Sequence, residues 1–284
     1  MVRLLRNFML TESTNRIPTT LGHLNVRLCG KDSGPAMVFW PSLLMDGRMW
    51  RAQAAHFGDR YRIVMVDSPG HGLSDPLTRN FTLDECAHAL CQILDALRIQ
   101  DCILVGNSWG GMMGGVFAAT YPQRTRAAIL MNCSASAVGW RQKVEFLMLA
   151  ALLSRLREMP GLLLRRAVIA FTGPTTEATR PEVVAQIRAS VLEANPRSVH
   201  WAVRSVVPYR VDRHRQLTGI RSPVLVVAGA EDRTFPVPET KAMADSIPGS
   251  RFVVLPRIGH LAGLEAPNTV NEVIERFLGE HGQR

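Results

Sequence analysis

Val105-Gly106-Asn107-Ser108-Trp109-Gly110-Gly111 is the stretch whose reading decides the fold. The apolar run Ile103-Leu104-Val105 precedes it, and the small-residue segment Met112-Met113-Gly114-Gly115-Val116-Phe117-Ala118-Ala119 follows it. That is a strand, a tight turn and a helix. Gly106-x-Ser108-x-Gly110 sets a hydroxyl at the apex of the turn, where the backbone is forced into a strained conformation. The flanking glycines carry no side chain that would block the turn, and they let the helix begin close to the strand. The five-residue pattern arises by chance often enough to be weak alone; its strand-before, helix-after setting makes it informative.

Outward from this turn, strands and helices alternate. Gly22–Gly30 alternates polar and apolar residues, as a half-exposed antiparallel strand does. Ala36–Trp40 is short and wholly apolar, the mark of a strand buried inside a parallel sheet. A loop beginning Pro41-Ser42-Leu43 leads to a helix over 49–57. A second buried strand over 61–67 runs into the glycine-rich loop Ser68-Pro-Gly-His-Gly-Leu-Ser-Asp75. Thr82-Leu-Asp-Glu85 is a capping box that opens a helix to about Leu97. Strands follow over 102–105 and 126–131, then, after a gap, over 223–229 and 250–255, and an amphipathic helix over 268–278 closes the chain. This rhythm with short loops predicts a mostly parallel sheet with helices on both faces.

The gap has a different character. From 138 to 212 no strand-like run occurs and the pattern turns helical, so 138–212 reads as a helical cap inserted into a core made of 1–137 and 213–284. Val144-Glu-Phe-Leu-Met-Leu-Ala-Ala-Leu-Leu153 is apolar nearly all round, which predicts a helix covered on more than one side. The competing reading is a membrane-surface helix, favoured by the arginines at 155, 157, 165 and 166.

With 284 residues the chain is long enough for one large α/β domain carrying such an insertion. It is 46% hydrophobic and 20% charged, an ordinary globular balance. Residues 1–10 lack the continuous apolar region and small-residue cleavage site of a signal peptide. No run of about 18 apolar residues exists to span a bilayer. The five cysteines are an odd number without metal-ligand spacing; Cys102 and Cys133 suit inert buried thiols, and a reducing cytoplasm is the simplest location. The net charge of +9 comes almost wholly from arginine, with only three lysines. Because the arginines are scattered, without runs or interleaved aromatics, nucleic-acid binding is discounted.

A serine hydroxyl becomes a useful nucleophile when a neutral imidazole takes its proton, and the imidazole needs a carboxylate to fix its tautomer. Ser108 follows one strand, Asp232 a later one and His260 the last. All three lie past the C-terminal ends of parallel strands, where open α/β sheets place their sites. Glu231 is an alternative acid beside Asp232. His71 sits in a glycine turn and reads as structural; His56, His88, His200 and His214 read as surface or satisfied core residues. No His/Cys/Asp cluster has metal spacing and no G-x-G-x-x-G opens a helix after a strand, so neither metal nor cofactor is expected.

Four segments carry a resemblance over nearly the whole length: Asp67-Ser-Pro-Gly-His-Gly-Leu-Ser-Asp75, Gly106-Asn-Ser-Trp-Gly-Gly111, Gly229-Ala-Glu-Asp-Arg233 and Gly259-His-Leu-Ala-Gly-Leu-Glu265. Together they resemble the α/β-hydrolase superfamily, whose order of catalytic residues is also serine, acid, histidine. The resemblance implies an eight-stranded, mostly parallel sheet and a catalytic set of Ser108, Asp232 and His260. Within the superfamily, Pro41-Ser-Leu-Leu-Met-Asp-Gly-Arg-Met-Trp50 is similar to the loop of 3-oxoadipate enol-lactonase and non-haem haloperoxidase-like esterases. It implies an oxyanion hole made by the backbone N–H groups of Trp109 and Leu43, with Ser42 as the alternative to Leu43. Many relatives carry His-Gly where this chain has Pro41-Ser42. Some take their acid from the loop after the 126–131 strand, but Asn132-Cys133 offers no carboxylate.

The expected activity is a serine hydrolase cleaving a small to medium hydrophobic carboxylic ester or lactone through an acyl-enzyme. Trp140, Phe146, Met148, Leu149 and Trp201 are the candidate substrate-contacting residues; other apolar cap residues form its core. The rival activity is carbon–carbon bond hydrolysis of the aromatic meta-cleavage type, suggested by Gly-Asn-Ser-x-Gly-Gly. Leu261 after the histidine speaks against it, since that type tends to carry tryptophan there. A ligand-binding protein on a hydrolase scaffold is a further alternative. The partner is a small molecule; the oligomeric state, homodimer included, is not legible.

Overall fold

The computed structural model describes residues 12–282, so the stretch 1–10, read above as lacking a signal peptide, lies outside the described residues. The strands are β1 (Ser13–Thr19), β2 (Gly22–Gly30), β3 (Ala36–Trp40), β4 (Arg62–Val66), β5 (Cys102–Asn107), β6 (Thr125–Met131), β7 (Val224–Gly229) and β8 (Arg251–Leu255). They form one eight-stranded sheet in the order β1-β2-β4-β3-β5-β6-β7-β8. β1 and β2 are antiparallel to their neighbours; every pairing from β4 to β8 is parallel. The helices are α1 (Arg51–Phe57), α2 (Leu83–Ala96), α3 (Trp109–Thr120), α4 (Trp140–Leu153), α5 (Gly161–Phe171), α6 (Pro174–Thr179), α7 (Pro181–Glu193), α8 (Pro196–Val206), α9 (His214–Leu217), α10 (Val237–Asp245), α11 (Ala262–Glu265) and α12 (Pro267–Glu280). Among the described residues none is long and apolar enough to cross a membrane.

The wholly apolar strands are explained by two cores, one on each face of the sheet. Successive side chains of a strand point to opposite faces. In β3, Val38 and Trp40 enter the core built with α2, α3 and α10, while Met37 and Phe39 enter the one built with α1 and α12. β5 divides in the same way, Leu104 to the first and Ile103 and Val105 to the second. Each such residue contributes about 1.5–3 kcal/mol of burial, so the central strands hold both layers at once. The capping box forms as expected: Glu85 N donates to Thr82 Oγ1 at 3.1 Å and Thr82 N to Glu85 Oε2 at 2.9 Å.

Three expectations are corrected. No strand is expected before residue 22 from the apolar patterning, yet β1 supplies the eighth. β2 alternates as expected but is not half exposed, because its polar face is covered: Asn25 and Arg27 turn to the buried Asp67 carboxylate at 2.8 and 3.1 Å. And α4 is not covered on more than one side. Only Ala150 and Leu153 are buried, while Trp140, Val144, Met148 and Leu152 form an outward stripe at four-residue spacing.

Between β6 and β7 the chain carries α4 to α9 and no strand. Of these, α5 and α7 place Leu164, Phe171, Val183, Ile187 and Val191 into the core shared with α1 and α12. Ala150, Leu153, Val199 and Val203 make a small cluster of their own, against which Leu43 and Leu44 pack.

Candidate active site

The sheet order itself creates the site. β3 pairs with β4 on one side and β5 on the other, so the chain leaves these two adjacent strands in opposite directions, and a crevice opens beyond their C-terminal ends. Trp40, ending β3, is level with Gly106 near the end of β5. The loop after β3 and the turn at Ser108 are therefore neighbours.

Ser108 has φ +55° and ψ −112°, a left-handed backbone for a residue with a side chain. Its N–H donates to Met131 O at 2.8 Å and its carbonyl accepts from Met112 N at 2.9 Å, which pins the turn from both sides. Close packing fixes the start of α3: a Cβ on Gly110 would stand 2.1 Å from Trp40 O, and one on Gly106 2.2 Å from Gly110 O. Gly110→Ala is expected to lower the unfolding free energy by about 3 kcal/mol, measured as a lower urea midpoint; an unchanged midpoint would show that the helix can move away freely.

As the first residue of α3, Trp109 offers an amide with no intrahelical acceptor. On the facing loop, Met45 N donates to Ser42 O and Leu44 N to His71 Nε2, whereas the amides of Ser42 and Leu43 have no protein acceptor among the described residues. Leu44 has φ +63°. Trp109 is fixed by aromatic contacts to Phe81, stacked at 5.3 Å, and to Trp40 and His71, edge-on at 6.3 and 5.6 Å.

β8 lies three strands from β5, roughly 14 Å at the usual strand spacing, so His260 must be carried back by its loop. It is: Asn107 Nδ2 donates to His260 O at 3.0 Å. Glu265 grips the loop on both sides, accepting from Gly259 N and Leu261 N at 2.9 Å each. The ring is packed between Phe171, parallel at 5.6 Å, and Phe235 at 5.7 Å. Its Nδ1 lies 2.9 Å from Asp232 Oδ2 and 3.1 Å from Oδ1, so the carboxylate accepts a hydrogen bond from Nδ1–H and fixes the tautomer in which Nε2 keeps its lone pair. Nε2 is buried without a partner, and the Ser108 hydroxyl is not bonded to it. Such contacts often tighten only around a substrate.

Asp232 also accepts from Thr234 N, Phe235 N and Asn132 Nδ2, at 2.8, 3.0 and 2.9 Å. Burial pushes this carboxyl up, but the charge of His260 and these hydrogen bonds outweigh burial and hold it below the usual carboxylate range. Glu231, the alternative acid, turns away to receive Thr175 N and Oγ1 at the start of α6. Asn132 was set aside in the sequence for lacking a carboxylate. Its positive φ of 49° aims the amide at Asp232 and at Gly259 O, 3.0 Å away, so it bridges the acid to the histidine loop. Removing it leaves two buried acceptors short of a donor; Asn132→Ala is expected to lower the unfolding free energy by about 2 kcal/mol, checked by urea unfolding. Glu265, Phe171 and Phe235 had no signal in the sequence, although Glu265 belongs to the last of the four motifs.

The candidate substrate contacts divide. Phe146 and Leu149 lie against the small cluster of α4 and α8 residues that also receives Leu43 and Leu44. Trp201 packs on the core beneath, with Arg204 over its ring at 5.4 Å. Trp140 and Met148 are 72% and 69% exposed. Ser108, Asp232 and His260 are each buried. A cleft of about 510 Å³ opens elsewhere, between the loop after β3 and the α7–α8 region, and is walled by Arg27, Leu44, Asp46, Arg48, His71 and Glu193 among others, but not by Ser108 or His260. Among the described residues no group of His, Cys, Asp and Glu is arranged to hold a metal ion.

A family profile described as the alpha/beta hydrolase fold matches residues 35–267. The chain belongs to the α/β-hydrolase family. This hydrolase is 27% identical over 258 residues, 90% of its own length and 92% of the other, to 3-oxoadipate enol-lactonase 2 of Acinetobacter baylyi. It is 29% identical over 257 residues, 87% and 85% of the two chains, to a 2-hydroxy-6-oxononadienedioate/2-hydroxy-6-oxononatrienedioate hydrolase of Paraburkholderia phymatum. Among solved structures, a thermophilic esterase from Thermogutta terrifontis superposes with a TM-score of 0.86 at 28% identity, covering 94% of this chain and 98% of that one. The enol-lactonase likeness of the Pro41 to Trp50 loop is thus accompanied by a match over 90% of the chain.

Proposed function

We propose that this α/β hydrolase is a serine hydrolase that cleaves a carboxylic ester or lactone through an acyl-enzyme on Ser108. One observation carries the reading: a wholly buried imidazole whose Nδ1 is committed to Asp232 and whose Nε2 is unpaired, on the loop that Asn107, next to Ser108, ties down. Nε2 removes the hydroxyl proton as Oγ attacks the carbonyl carbon, and Asp232 stabilises the imidazolium. The charge that moves onto the carbonyl oxygen is received by the amides of Trp109 and Leu43, a reading supported by the close packing of Gly110 against Trp40 O, which brings the start of α3 up to the loop after β3. His260 then protonates the leaving oxygen, and water repeats the sequence on the acyl-enzyme.

The apolar cluster beside Leu43 and Leu44 favours a hydrophobic acyl or ring portion, with Phe146 and Leu149 against it, Trp201 on the core beneath, and Trp140 and Met148 on the exposed side. The lactonase and esterase likenesses support the same class. All five cysteines are buried free thiols, which supports a reducing compartment.

A second reading, carbon–carbon bond hydrolysis, is favoured by the likeness to the hydrolase from Paraburkholderia phymatum, whose named substrates are 2-hydroxy-6-oxononadienedioate and 2-hydroxy-6-oxononatrienedioate. A panel of p-nitrophenyl esters, γ-lactones and a vinylogous 1,5-diketone separates the two. The ester or lactone arm is expected to give the higher kcat/KM; a diketone preference would install the second reading.

A further inference from the structure

His71 was read from the sequence as a residue that shapes a glycine turn, and its surroundings assign it more. The ring is buried. Nδ1 lies 3.0 Å from the carbonyl oxygen of Pro69, which can only accept, so the proton resides on Nδ1. Nε2 therefore presents its lone pair, and Leu44 N donates to it at 3.1 Å. That N–H belongs to the peptide joining Leu43 to Leu44, and Leu44 is held at φ +63°, a conformation that costs of order 1 kcal/mol or more for a side-chain-bearing residue unless its surroundings impose it. The same imidazole meets Trp109 edge-on at 5.6 Å. One neutral ring thus touches both Leu44, in the loop after β3, and Trp109, at the start of α3.

We propose that His71 is a positioning residue, acting as a hydrogen-bond acceptor that locks the Leu43–Leu44 peptide and holds the amides of Leu43 and Trp109 in register for the oxyanion. The inference rests on Ser108 being the nucleophile and on those amides being its oxyanion donors. It extends that reading to a residue that touches neither substrate nor reacting atoms. Only the neutral imidazole can fill the role, since a protonated one has no lone pair to offer Leu44 N. Burial pushes the His71 pKa below the ordinary histidine value, against the Pro69 carbonyl and the charges of Asp46 and Asp67. Arg27 and Arg48 line the same cleft, each paired with one of those carboxylates. The acceptor is thereby kept available at neutral pH.

The test compares His71→Phe, which keeps a ring without an acceptor, with His71→Gln, whose Oε1 can accept from Leu44 N. With a p-nitrophenyl ester, His71→Phe is expected to lose about 10²-fold in kcat with KM within twofold, since ångström-scale misplacement costs about that much in the transition state. Its affinity for an aryl boronic acid, which forms a tetrahedral adduct with the serine, is expected to fall by the same factor. His71→Gln is expected to recover kcat to within about tenfold of wild type. His71→Ala is expected to give the same losses as His71→Phe, so a folding defect in one leaves the other to decide. Equal kcat in wild type and His71→Phe, or a loss shared equally by the Phe and Gln variants, would overturn the proposal. Fluorophosphonate labelling of wild-type Ser108 is run alongside: its absence would remove the nucleophile reading itself, whereas labelling with kcat indifferent to His71 removes only this inference.

Discussion

Ser108→Ala is expected to reduce kcat for a p-nitrophenyl ester by roughly 10⁴- to 10⁶-fold while leaving the fold intact. The hydroxyl stands at the apex of a turn whose strain is sustained by backbone contacts, to Met131 O and from Met112 N, that do not involve the side chain. Removing one oxygen from the buried Ser108 therefore costs little stability but deletes the atom that forms the acyl bond in the proposed mechanism. What remains is the weaker acceleration of water attack by the oxyanion amides and bound substrate. Stopped-flow or plate-reader kinetics at saturating ester decide the point. A variant retaining more than about a tenth of the wild-type kcat would place the nucleophile at another residue.

Asp232→Asn is expected to lower kcat by about 10⁴-fold. The carboxylate receives Nδ1 of His260 with both oxygens and is itself fed by Thr234 N, Phe235 N and Asn132 Nδ2. An asparagine puts an N–H donor where the neighbouring groups are themselves donors, toward Asn132 or toward His260. In the second case the imidazole takes the wrong tautomer and Nε2 carries a proton instead of a lone pair. The same contacts fix the pH sign. The folded Asp232 has its pKa below the unfolded value, so its contribution to stability is fully present above about pH 4 and is lost as pH falls through the lower, folded value. Urea unfolding between pH 6 and pH 3 is expected to show a shallower acid loss in Asp232→Asn than in wild type.

Much of the fold was legible because the parallel strands are apolar on both faces, and few structures other than a covered sheet demand that pattern. β1 was not, since Ser-Thr-Asn-Arg-Ile-Pro-Thr is mostly exposed and becomes a strand only because β2 offers it a ladder. α4 misled for the opposite reason: composition reports how apolar a helix is, not whether anything lies across from it, and Trp140, Val144, Met148 and Leu152 face outward. In the site, Ser108, Asp232 and His260 could be marked because each follows a strand in a motif with a chemical purpose. Spacing alone does not separate neighbouring carboxylates; the family resemblance favours Asp232 over Glu231, and in the structure Asp232 meets His260 Nδ1 while Glu231 turns to Thr175. The residues that hold the machinery were silent, because Asn132, Phe171, Phe235 and Glu265 act through contacts at long separation.

The most direct measurement is the site and stoichiometry of reaction with a fluorophosphonate, read by peptide mass spectrometry on wild type and His260→Ala. One adduct per chain on the peptide containing Ser108, lost or slowed at least about a hundredfold in His260→Ala, is the predicted result. An adduct on another residue, or labelling of Ser108 at an equal rate without His260, would contradict the activation of that hydroxyl by the buried imidazole.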